Sequence, residues 1–183
     1  MKSLTVLAIL MVFVLVGVAG AGTPGEIQQD KKEIKQDKKE LKQSKDCLKR
    51  LNSLVDKWHE ANLNCNQKKM NQLEQAIVNT LVKDINASFH TVDRAEREAA
   101  RTKLKVFGDK EPARVAVDDQ RDFAQSRTML ASKQGLLYKM KESDSFSMKY
   151  RLLSEYKQLL KMELGMAGRE LVEDVRESRF DRR

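Results

Sequence analysis

Few residues in this chain can stop a helix. Only two of its 183 residues are proline and eight are glycine. Both types interrupt helices, so their scarcity excludes a loop-rich fold and leaves room for long helical runs. Aromatic residues are sparse at 5%, whereas charged residues reach 34%. That balance argues against a thick aromatic core and for helices with solvated faces. No sustained alternation of β-branched and polar residues appears after Gly22, which removes strand candidates. The two cysteines, Cys47 and Cys65, form no Cys-x-x-Cys pair, and the two histidines stand far apart in sequence at His59 and His90. Metal chemistry therefore has few ligands to work with.

What is present begins at the N-terminus. Lys2 precedes an almost continuous apolar run from Leu4 to Ala19, and Ala19-Gly20-Ala21 supplies small residues at a cleavage site. This is the pattern of a secretory signal peptide over residues 1–21. The run falls short of the roughly 20 residues that span a bilayer, so a retained membrane anchor is the lesser alternative. No cysteine follows it, which disfavours a lipoprotein anchor. Residues 22–25 read as a flexible mature N-terminus, and no transmembrane segment remains after cleavage. The expected location is periplasmic or secreted. The formal net charge of +8 would suggest nucleic acid in a cytosolic protein. In an exported one, anionic lipid, surface polysaccharide or acidic protein fits the charge equally well, and the mixed signs of the repeat make it a poor phosphate-tracking stripe.

Four helical segments follow: about 26–61, about 67–107, a third from just after Asp109, which can cap it, to the turn at Ser143, and about 147–178. In the second, Met70, Leu73, Ile77, Leu81 and Ile85 hold one register, and a break near 86–91 is allowed but not required. Gly108-Asp109 ends it, and Pro112 suits the first turn of the third. Asn62 to Asn66 and Ser143-Asp144-Ser145 read as turns. In the fourth, Leu153, Tyr156, Leu160, Leu164, Ala167, Leu171 and Val175 form a stripe, interrupted by Gly165 and Gly168, which suggest a close helix crossing or a mild kink. The expected fold class is all-α: an elongated bundle of three to four long helices, with a charged heptad-repeat helix at 26–48, a helical bundle at 49–178 and a frayed basic tail at 179–183.

The repeat reads QDKKEIK QDKKELK QSKDCLK from Gln29 to Lys49. On a helical wheel, Ile27, Ile34, Leu41 and Leu48 form a thin apolar seam. Asp30, Glu33, Asp37 and Glu40 bank on one side of it, and Lys31, Lys35, Lys38 and Lys42 on the other. Like charges stand four residues apart, as in Lys31–Lys35 and Glu33–Asp37, so the isolated helix is weakly supported and wants a partner. Opposite banks favour parallel self-pairing or a partner with complementary banks. One aliphatic residue per heptad makes that contact weak and salt-sensitive. The bland alternative is a solvated spacer.

Chemical sites are scarce. His59 and Cys65 are weak metal candidates, with Met70 beyond them but no third strong ligand at a familiar spacing. Cys47 and Cys65 read as free or intermolecular thiols, an internal bond being the lesser alternative, because a helix over 47–61 alone spans about 21 Å; Cys47 also stands well off the seam. Asp118, Asp119 and Asp122 read as a solvated acidic face. No catalytic residue, cofactor or cofactor-binding residue is expected. The sequence therefore points to a non-enzymatic helical binding or scaffolding protein of the cell envelope. Its partners would be a protein or a second copy through parallel helix pairing, with an anionic envelope surface as a second candidate and nucleic acid disfavoured. The alternatives are a chaperone-like or stress-response helical protein of the periplasm and a small-ligand or metal sensor.

Overall fold

Apolar residues three and four positions apart recur through most of the chain, and the long gaps between prolines let each run propagate as one helix. The computed structural model describes residues 24–107 and 113–180, and among them it is an all-α bundle of four helices without a strand. Helix α1 spans Pro24–Leu63, α2 Gln67–Phe107, α3 Ala113–Glu142 and α4 Phe146–Phe180. The 41 residues of α2 run about 60 Å without a break at 86–91. Residues 1–21, read from the sequence as a signal peptide, the expected Gly108-Asp109 stop, Pro112 and the last three residues lie outside the described residues. Pro24 and Gly25, read from the sequence as a flexible lead-in, are the first residues of α1.

Short connections force neighbouring helices to run antiparallel. Between α1 and α2, the Asn66 N–H bonds the Ala61 carbonyl at 2.9 Å and the Cys65 N–H bonds the Asn62 carbonyl at 3.0 Å. This pair of bonds closes a helix end through a left-handed residue. That residue is Cys65, at φ 50°, not one of the asparagines flanking it. Asn66 then caps α2, its side-chain oxygen accepting from the Lys69 N–H at 3.0 Å. Ser145 starts α4 in the same way, accepting from the Met148 N–H at 3.4 Å.

Packing runs around a ring: α1 on α2, α2 on α3, α3 on α4, and α4 back on α1. The core lies in the half nearest the two short turns. Leu51, Val55 and Trp58 of α1 meet Ile77, Leu81 and Ile85 of α2, Met140 of α3, and Leu153, Tyr156 and Leu160 of α4. Trp58 packs on Phe146 with ring centroids 4.4 Å apart. In the other half the stripes thin out. Ala99 and Ala116 are buried there, while Leu104, Val117 and Met162 are exposed.

Gly165 and Gly168 correct an expectation. A Cβ placed on either would meet no atom within 4 Å, so they do not mark a close crossing, and α4 continues through both. Gly165 instead lines an open groove of about 450 Å³ with Gln125, Met162, Met166 and Arg169.

Candidate functional site

Helices α2, α3 and α4 each carry a polar residue at a position the helix's own apolar stripe would give to the core. On α2, Asp84 follows Leu81 by three and Ser88 follows it by seven. On α3, Lys133 follows Met129 by four, and on α4, Glu163 follows Leu160 by three. The bundle brings these together. Lys133 is wholly buried. Its Nζ lies 2.9 Å from Asp84 Oδ2 and 2.7 Å from Glu163 Oε2, and donates to Ser88 Oγ at 2.9 Å. All three ammonium donors are thereby satisfied. The Tyr156 hydroxyl donates to Asp84 Oδ2 at 2.8 Å, and Ser88 donates to the Asp84 carbonyl at 3.1 Å. Cys47 completes the group from α1, its half-buried thiol feeling the charges of Asp84, Lys133 and Glu163. All four helices thus contribute.

The electrostatics follow from enclosure. Burial opposes the Lys133 charge, but the Glu163 and Asp84 carboxylates outweigh it and hold its pKa above the ordinary lysine value. Burial raises the Glu163 carboxyl, and the Lys133 ammonium offsets only part of that. Burial, helped by the Asp84 charge, pushes the Cys47 thiol up to about 12 and the Tyr156 phenol well above its usual range. Every shift favours protonated groups. A thiol and a phenol held neutral are poor nucleophiles.

A second cluster places the heptad repeat. Arg94 of α2 reaches Asp37 Oδ1 at 3.1 Å and Glu40 Oε1 at 3.2 Å. Glu40 also accepts from Thr91 at 3.3 Å and from Gln36 at 2.7 Å. Burial opposes the Arg94 charge, yet Glu40 and Asp37 raise its pKa. The face of α1 turned inward is therefore rotated from the aliphatic seam toward the acidic bank. Asp37 is buried, whereas Ile34 and Leu41 are half-buried and Leu48, also half-buried, packs against the core. The same rotation brings Cys47 inward, although it had stood well off the seam on the wheel. The side chains of Ile27, Asp30 and Glu33 lie outside the described ones.

The basic bank faces outward. Lys31, Lys35, Lys38 and Lys42 are all exposed. The stripe continues at the same three- and four-residue spacing through exposed Lys45 and Lys49, beyond the four lysines read from the repeat.

The remaining candidates are dispersed. His59 stacks near Tyr150 at 5.5 Å and Phe146 at 6.2 Å between ring centroids. Cys65 sits exposed in the α1–α2 turn. Cys47 and Cys65 are both free thiols. No group of three or more His, Cys, Asp or Glu among the described residues is placed to hold a metal ion. No helix among the described residues is long and apolar enough to cross a membrane.

Fold and clusters together define a four-helix bundle braced by a buried ionic network. No protein-family model, curated protein or solved structure matches the chain.

Proposed function

We propose that this is an exported, non-enzymatic helical binding or scaffolding protein of the cell envelope, periplasmic or secreted, which works through its outer helix faces. The observation that carries the reading is the division of charge on α1. Its acids Asp37 and Glu40 turn inward to Arg94, and the lysines of its first half are left facing solvent with Asp46 the one exposed acid among the described side chains there. The reactive groups of the interior are tied to one another around Lys133, which supports a surface role over a catalytic one. Export rests on the Leu4–Ala19 run and the small residues that end it. A protein partner with acidic groups suits the outer face. Pairing with a second copy through Ile34, Leu41 and Leu48 would compete with the packing of Leu48 on the core.

Titration with poly-L-glutamate, a lipid-free acidic chain, tests this reading. Saturable binding is expected at low salt and is weakened at about 0.5 M salt, where screening is strong. It should fall when the exposed α1 lysines become Gln and persist in Tyr156→Phe. Binding that ignored the lysines, or that followed Tyr156, would overturn the proposal.

A further inference from the structure

The exposed lysines of α1 have a shape as well as a sign. Lys31, Lys35, Lys38, Lys42, Lys45 and Lys49 are spaced 4, 3, 4, 3, 4, so on a helix at 100° per residue they fall within about 40° either side of one line. The line is about 27 Å long at 1.5 Å per residue. The opposite face of the helix is the buried one, carrying Asp37, Leu51, Val55 and Trp58. Exposed Lys32, Lys39 and Arg50 flank the line, and Asp46 is the one exposed acid among the described side chains of residues 28–50. No described acid forms an ion pair with any of the six lysines.

We infer that this stripe is a docking face for an anionic lipid bilayer, on which the bundle lies with α1 parallel to the surface. A straight row of ammonium groups on a packed helix matches a plane of headgroup phosphates. Lysine suits such a surface because it acts as a point charge and needs no fixed bidentate geometry. The same features fit nucleic acid poorly. Flanked by α2 and α4, α1 is not a free helix that a major groove about 12 Å wide would admit. The stripe also carries no aromatic side chain on which bases would stack. It has no apolar residue to insert either, so the contact is electrostatic and peripheral.

This inference deepens the binding reading by naming one partner. If poly-L-glutamate binds as above and vesicles do not, the bilayer alone falls. The test is co-sedimentation of the full chain with phosphatidylcholine vesicles, plain or containing about one-third phosphatidylglycerol, at about 0.1 M salt. Plain vesicles report any attraction from the apolar Leu4–Ala19 run. Each lysine near an anionic surface contributes about fivefold in partitioning. Replacing all six by Gln should therefore cost at least about a hundredfold on anionic vesicles. Replacing Lys35, Lys42 and Lys49 alone should give an intermediate loss. Neutralising six exposed lysines elsewhere (Lys68, Lys69, Lys83, Lys103, Lys139 and Lys141) should cost far less, with unchanged circular dichroism in every variant. Equal binding to plain and anionic vesicles, or equal losses from the two six-lysine sets, would overturn the proposal. So would a DNA duplex that binds more tightly than lipid at the same salt with the same lysine dependence.

Discussion

With its ammonium held by Asp84, Glu163 and Ser88, Lys133 cannot be removed without stranding two carboxylates inside the bundle. Lys133→Met is expected to destabilise the protein by about 3–5 kcal/mol in urea unfolding. Making the whole network apolar, with Asp84→Leu, Tyr156→Phe and Glu163→Met added, should recover most of that loss, because well-packed apolar groups often match a buried ionic cluster. Cys47 gives a pH signature. Its thiol, beside Asp84, Lys133, Glu163 and Tyr156, is pushed from its ordinary 9.0 up to about 12. The folded state thus keeps a proton that the unfolded chain releases. The resulting stability is complete below pH 9 and is lost as pH rises toward 12. Urea midpoints at pH 8 and 11 should diverge less in Cys47→Ala than in the parent. Asp84, Ser88, Lys133 and Glu163 were not singled out in the sequence, although each sits on an apolar stripe. One stripe shows only that a charge interrupts it. Whether that charge finds an opposite one depends on the axial alignment of the other helices, which no single helix encodes.

At the scale of the helix the sequence was far more legible. The spacing of Ile77, Leu81 and Ile85, or of Leu153, Tyr156 and Leu160, follows directly from 3.6 residues per turn, and the scarcity of proline and glycine left few other places to end a run. The face that α1 buries was harder to read. Hydrophobicity placed its centre on Ile34 and Leu41, but Arg94 pulls Asp37 and Glu40 inward, and that arginine lies on another helix. Gly165 and Gly168 suggest a close crossing or a mild kink, because helical glycines often mark either; here space is open beside them, which removes the close crossing. Alanine at either position should stabilise α4 by about 0.5–1 kcal/mol. A rise in thermal midpoint for each single variant and a larger one for the pair would check it. A fall at either site would mean that the position is closed.

Across the whole molecule, apolar packing is concentrated near the two short turns, while the other half depends on the Arg94 ion pairs and on alanines. Hydrogen exchange should be slowest around Leu51–Trp58, Ile77–Ile85 and Leu152–Leu160. It should quicken along 91–104 and 116–127, where few apolar side chains are buried. The ring of antiparallel helices has one more consequence. Four helices are joined by three reversals, and an even number of traversals returns the chain to the end at which it set out, so the start of α1 and the finish of α4 lie side by side. The order in which the helices are strung together is then separable from the way they pack. A circular permutant that joins Phe180 to Pro24 through a flexible linker and opens at Asp144 should keep the helical circular dichroism and the cooperative melt of the parent.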